Sequence, residues 1–318
     1  MGGVGTIFKK ELADHFSSYR FMILFALIAM VSLITAYMVG LNIKQELEGI
    51  AKPRFIFLML FTSRGALFSL VQFVAFFGPL IGLILGFDTI NRERNEGTLS
   101  KLLSQPIYRD AVINGKFLAG VVTIAIMVVS IVLVVTGLGL RMVGVVPGVE
   151  EAWRILIYLV VSIIYVSFWL GVAILFSILF RSIATSALAA LAVWIFFSFF
   201  VSLGASVVTN AMRPEAGEAT PETIVRHARI QRAFSLVSPM ELYTEATATI
   251  IDPTKKTTRS IVLMGPMEQL SLSRFSGPLP LGQSVLVVLP YIISLIAITA
   301  ICFAISYIVF LRQEIRSL

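Results

Sequence analysis

The sequence predicts an all-α polytopic membrane protein with six transmembrane helices. Composition is the first observation behind this. Of 318 residues, 58% are hydrophobic and 14% charged, against about 45–50% and about 25% in soluble domains. The second is that six long runs contain no Asp, Glu, Lys, Arg or His. A helix needs roughly 20 apolar residues to cross about 30 Å of hydrocarbon, and each run is long enough. The third is physical: lipid offers the backbone no hydrogen-bond partner, so such runs are helices rather than open strands.

In chain order, residues 1–20 hold Phe8, Leu12, Phe16 and Tyr19 at near-helical spacing, with Lys9, Lys10, Glu11 and Asp14 elsewhere on the wheel. This predicts an amphipathic helix lying in the headgroup layer. The predicted spans are 21–41, 66–87, 117–140, 155–180, 183–208 and 285–311. Only Arg181 and Ser182 separate the fourth from the fifth, which predicts a tight hairpin. Residues 209–284 form the one sizeable polar region and are expected as an external loop. In that loop Thr220-Pro221-Glu222 has the pattern of a helix start, with Pro at the first helical position. A basic helix through Arg226, His227, Arg229 and Arg232 should follow.

Six spans place both termini on one side. With that side cytoplasmic, short inner segments hold 11 Lys and Arg against 6 in short outer ones, the distribution expected for cytoplasmic termini. A prokaryotic cytoplasmic membrane is the expected location. The first span is too long for a cleavable signal and no small-residue cleavage site follows it. The net charge of +7 suits anionic lipid headgroups and requires no nucleic acid. Cys302 is the sole cysteine, so one chain can form neither a disulfide nor a CxxC site.

Residues 88–116 form the charged cytoplasmic segment between spans two and three. Arg92-Glu93-Arg94-Asn95-Glu96 is a burst of mixed charge, with Arg92 and Glu96 spaced i,i+4. Gly97 permits a turn closed to other residues, and Thr98 could cap a new short helix. Leu99, Leu102 and Leu103 fall on one face, Ser100 and Lys101 on the other, and Pro106 ends the helix. A leucine patch one turn long is too small for a core and calls for a partner surface, or else rests on the membrane interface as part of an ordinary cytoplasmic loop.

These residues carry a resemblance. Phe87-Asp88, Glu93, Glu96-Gly97-Thr98-Leu99, Leu102-Leu103, Pro106 and Gly115-Lys116 resemble, in order, the motif of ABC-2 type transporter permeases. Lys10-Glu11-Leu12 is similar to the family's start, and Ser238-Pro239 to a weaker element before its last helix. The resemblance implies a permease subunit that translocates a substrate, with export as the expected direction. It implies a second permease, identical or similar, and two ATPase subunits that hold the ATP and Mg; this chain itself would bind no cofactor. It also implies that the loop after helix two is a coupling helix docked on the ATPase. The contact residues would be Glu93, Arg94, Glu96, Gly97, Thr98, Leu99, Lys101, Leu102, Leu103 and Pro106. The alternative is a membrane scaffold that transmits ATPase-driven motion to an external partner without transport.

Other chemistries lack their residues. A P-loop needs GxxxxGK[ST], and the only Gly-Lys, Gly115-Lys116, is followed by Phe117. Carriers driven by ions need intramembrane ionisable groups, and the six runs have none. Neither histidine lies in a span, so a membrane Ser–His protease is not expected, nor is a metal site. Gly78, Gly82 and Gly86 make a small-residue stripe on span two, read as close packing within one subunit, with a dimer seam as the alternative.

Overall fold

The computed structural model describes residues 2–46, 55–62, 69–99, 108–144, 146–201, 203–204, 207–208, 221–255 and 277–313. The elements are α1 (Gly2–Ser17), α2 (Tyr19–Glu46), α3 (Ile56–Thr62), α4 (Leu70–Gly86), α5 (Asn91–Asn95) and α6 (Arg109–Val143). After them come α7 (Val149–Leu179), α8 (Ile183–Ile195) with a π-helical turn at Phe196–Phe200, α9 (Pro221–Ser235), α10 (Pro239–Ile251) and α11 (Leu281–Arg312). Among the described residues there is no strand. Six stretches are long and apolar enough to cross a membrane: α2, α4 with its extension to Asn95, α6, α7, α8 with its π turn, and α11. Together they make the chain a multi-pass membrane protein.

The helices overrun the charge-free runs because their polar first turns are capped. At the start of α6 the Asp110 carboxylate accepts from the Ala111 amide at 2.8 Å. At the start of α7 the Glu151 carboxylate accepts the Gly148 amide at 2.8 Å, so α7 begins at Val149 rather than at 155. The end of α6 is set by Gly144, whose φ of 67° is left-handed.

The centre of the fold is α7, packed between α4 and α11 and also touching α6 and α10. Trp169, Tyr158 and Tyr165 on α7 are fully buried. The glycines of α4 let α7 approach. A Cβ on Gly82 would lie 2.6 Å from the Val166 carbonyl oxygen and 2.7 Å from the Leu170 nitrogen. One on Gly86 would meet Ala173 Cβ at 2.6 Å, and one on Gly78 would meet Val166 at 3.0 Å. The stripe is thus filled by this subunit's own helix. Pro79 sits in the same helix and has no N–H to offer the carbonyl four residues back. That carbonyl, Ala75 O, instead accepts from the Tyr165 hydroxyl at 2.6 Å.

Two elements depart from the expected layout. The short helix α3, in the polar segment between spans one and two, is buried from Ile56 to Leu58. Its first turn is held by Glu151, whose carboxylate accepts the Phe57 amide at 3.1 Å. The second is α10, inside the segment expected as an external loop, which packs against α7, α11 and α4. Tyr243 of α10 stacks on Tyr165 at 4.5 Å and shares a 2.9 Å hydrogen bond with Ser162. Deep in the bundle, Ser238 donates to the Phe197 carbonyl at 3.0 Å, beside the π turn that breaks the expected uniform span 183–208. At the other end, Arg154 is completely buried. Its guanidinium donates to the carbonyls of Thr249 and Ile250 at 3.1 Å each, closing the carbonyl end of α10. It also reaches Glu150 at 2.9 Å and Ser284 at 3.1 Å.

The glycine contacts give a paired prediction. Gly82→Ala forces backbone against backbone and should cost about 1–3 kcal/mol. Gly137→Ala on α6 has nothing within 4 Å and should be neutral or slightly stabilising. Thermal unfolding of both variants in detergent checks this. Equal stability of the two would remove the close α4–α7 contact as a determinant.

Candidate functional site

The face that carries α1, α5 and the end of α11 gathers most of the ordered charge. The loop after α4 is fixed there from several sides. Ser177, near the end of α7, accepts the amides of Ile90 and Asn91 at 2.9 and 3.2 Å. Ser186 of α8 donates to the Phe87 carbonyl at 2.8 Å. Asp88 pairs with Arg20 of α2 at 2.8 Å.

Four side chains from three elements then close a ring. Lys116 of α6, only 2% exposed at its side chain, lies 2.8 Å from Glu11 and 3.0 Å from Glu93. Lys10 lies 3.0 Å from the same Glu11 oxygen and 3.0 Å from the same Glu93 oxygen. The charges alternate around the ring. Its four neighbouring attractions are therefore opposed only by two diagonal repulsions at longer range. Such a ring compensates its own desolvation better than an isolated buried pair does. Asp14 adds a looser contact to Lys10 at 3.6 Å. The second oxygen of Glu93 is buried without a hydrogen-bond partner.

The ring places α1 on α6. Ile7 packs where Gly115 has no side chain, 2.8 Å from the position a Cβ would take, and Ile7 and Glu11 are buried. The face that α1 buries against the subunit is therefore that of Ile7 and Glu11. Phe16 and Tyr19, members of the expected interfacial stripe, lie off that face and are exposed.

The predicted site residues fall into three groups. Glu93 and Leu99 point inward, at 9% and 1% exposure. Gly97 adopts φ 69°, and this left-handed turn swings Leu99 back onto the core. The Thr98 hydroxyl donates to the Glu93 carbonyl at 3.2 Å, and the amides it would cap lie outside the described residues. Arg94 reaches the Gln313 side chain at 2.6 Å. Gln313 also accepts from Arg109 at 3.1 Å and donates to the Ile178 carbonyl at 3.0 Å, so the end of α11 is tied to α5, α6 and α7. The outward group is Arg92, Asn95, Glu96, Gly97 and Thr98, with Arg92 and Glu96 joined at 3.1 Å. Lys101, Leu102, Leu103 and Pro106 lie outside the described residues.

Burial and charge set the titration on this face. Burial pushes the Glu11 carboxyl up, but Lys116 and Lys10 outweigh it and hold the group below its ordinary range. Burial lowers the His15 pKa, with Lys116 adding to the effect and Glu11, Asp88 and Asp14 opposing it. Lys10 is raised: burial opposes its charge, but Glu11 and Glu93 outweigh that. Among the described residues, no three His, Cys, Asp or Glu gather as a metal site.

The ring unites blocks that lie far apart in sequence: Lys10-Glu11, Glu93 and Lys116. A family model described as ABC-2 family transporter protein matches residues 5–315, and so takes in every one of them. The chain belongs to the ABC-2 transporter family. It is therefore a membrane permease of an ABC transporter. No curated protein matches the chain. Sequence reasoning placed the ring members of this permease in separate motif elements and missed Gln313 and Ser177, which carry no motif signal.

Removing Lys116 leaves two buried carboxylates sharing one half-exposed lysine. Lys116→Met should cost about 3–5 kcal/mol, the range for an orphaned buried charge. Adding Glu11→Gln should recover part of that loss, which a double-mutant cycle of unfolding would detect. Additive losses would mean that the two groups do not interact. The pH dependence has a fixed sign. His15 has a folded pKa below its ordinary 6.5, so the unfolded chain binds the extra proton as pH falls through 6.5 and stability drops. Glu11 acts in the same direction below its ordinary 4.5. Thermal stability should fall from pH 7.5 to 5.5, and His15→Gln should flatten that interval.

Proposed function

We propose that this permease is driven by a separate ATPase subunit that docks on the segment from Arg92 through Pro106. The observation that supports this is the combination of an outward charged turn and an immobile base. Arg92, Glu96 and Thr98 are exposed. The chain beneath them is bonded to α1 and α6 through the ring, to α7 through Ser177 and to α11 through Gln313. A push on the turn would be delivered to four helices at once, as rigid-body transmission requires. Glu93 and Leu99 then hold the turn in place rather than touch the ATPase. Leu102 and Leu103 would supply the apolar contact.

In this reading ATP and Mg belong to the ATPase chains, and two permeases, identical or similar, form the path. A small cavity of about 10 Å³ between Ile28, Phe73, Gly78, Val128, Ile131 and Val166 is room for about one water at most. A path between subunits fits that tight interior better than one through it. The termini face the cytoplasm, and export is the expected direction.

The test is affinity purification from the native membrane in mild detergent, with co-purifying chains identified and ATP hydrolysis assayed. The native chain should bring down a P-loop ATPase. Leu102→Glu should lose it while still inserting. Gly97→Val, strained at a left-handed position, should retain the ATPase but weaken coupling. If the intact native chain brings down no ATPase, a scaffold becomes the better account.

A further inference from the structure

The helix α9 carries arginines at three-residue steps: Arg226, Arg229 and Arg232. Its depth can be read from its neighbours. At its far end α10 lies beside Arg154, at the start of α7, through the Thr249 and Ile250 carbonyls. Its Tyr243 lies deeper, at Ser162. A short turn at 236–238 joins α9 to α10, and Arg232 reaches Glu245 at 3.5 Å. The chain therefore turns back on itself between α9 and α10, and Arg229 and Arg226 lie about one and two turns further from that reversal than Arg232. The far end of α10 lies where α7 and α11 begin, since Thr249 also donates to the Ser284 carbonyl at 3.1 Å.

The arginines change their surroundings with depth. Arg232 lies roughly 5–9 Å below the other two at 1.5 Å per residue. There it engages Glu245 and the Tyr291 hydroxyl, at 2.5 Å, inside the sixth span. This is ionisable chemistry at a depth where the six charge-free runs showed none. Arg226 and Arg229, further from the chain reversal, are exposed. Below them, at the hairpin turn, Phe234 is 46% and Val237 58% exposed. The helix thus presents cations at the headgroup level and apolar side chains beneath, the profile of a phospholipid in reverse charge. Guanidinium forks also match phosphate oxygens in geometry.

We propose that α9 is a docking surface for anionic phospholipids in the leaflet opposite the termini, with Arg226 and Arg229 on the phosphates and Phe234 and Val237 against the acyl chains. A bound lipid brings the apolar contact that free phosphate lacks. The proposal does not depend on ATPase docking.

The test uses the full chain in nanodiscs of phosphatidylcholine with a minor share of phosphatidylglycerol, reading retained lipid by native mass spectrometry. The native chain should enrich phosphatidylglycerol. Arg226→Gln with Arg229→Gln should reduce that enrichment by about thirty-fold, at about five-fold per arginine near a membrane surface. The charge-matched control is Lys44→Gln with Arg141→Gln, at exposed ends of α2 and α6 on the same face, and it should keep the enrichment. No enrichment by the native chain, or equal loss in the control, would overturn the proposal. So would displacement of the lipid by millimolar inorganic phosphate, which would mark a plain anion site.

Discussion

The alternating ring of Lys10, Glu11, Glu93 and Lys116 fixes the geometry on which the rest of the charged face depends. Each carboxylate offers one oxygen to both lysines at 2.8–3.0 Å. Removing Lys116 turns a compensated set into buried carboxylates short of a partner, the costly case for buried ions. This explains why Ile7 and Glu11 are the face of α1 turned to the subunit. It also makes α1, α5 and α6 one mechanical body. The bonds of Ser177 and Gln313 extend that body to α7 and α11.

Away from that face the same helices are held by a different principle. Lipid provides no hydrophobic drive between helices, so close approach and satisfied polar atoms must do the work. The α4 glycines let backbone meet backbone on α7. The carbonyl that Pro79 leaves open is answered by Tyr165, whose ring is stacked on Tyr243. The proline, the tyrosine and the re-entrant position of α10 are thus one arrangement.

The six spans were legible because a charge in hydrocarbon is costly enough to leave its absence as a plain signal. Helix ends were less so, since caps such as Glu151 and Asp110 prolong helices into polar sequence. The buried helix α10 was hidden by its composition, PMELYTEATATII. Thr244 and Thr247 bond their own helix at Met240 and Tyr243, and Thr249 donates to Ser284, so a polar sequence enters the bundle without stranding a hydroxyl. At the site, the motif residues were visible as three blocks. Nothing in their spacing says that positions 105 and 83 apart meet. Leu99 was grouped with Leu102 and Leu103 by helical periodicity, and in the structure it is buried after the left-handed turn at Gly97.

The distribution of polar groups constrains how such a subunit can move. On the terminal face, charges are tied in a closed ring. On the opposite face, Arg154 is wholly buried and holds the carbonyl end of α10 to the starts of α7 and α11. Between these faces the α4–α7 contact is backbone against backbone, with no slack for sliding. A helix set pinned at both ends and close-packed in the middle resists internal shear. Displacement applied at α5 is then more cheaply taken up as tilting of the whole set. The contacts that such tilting would change first are those of the least buried spans, α2, α8 and α11, whose exposed faces are the surfaces available to a neighbouring subunit or to lipid.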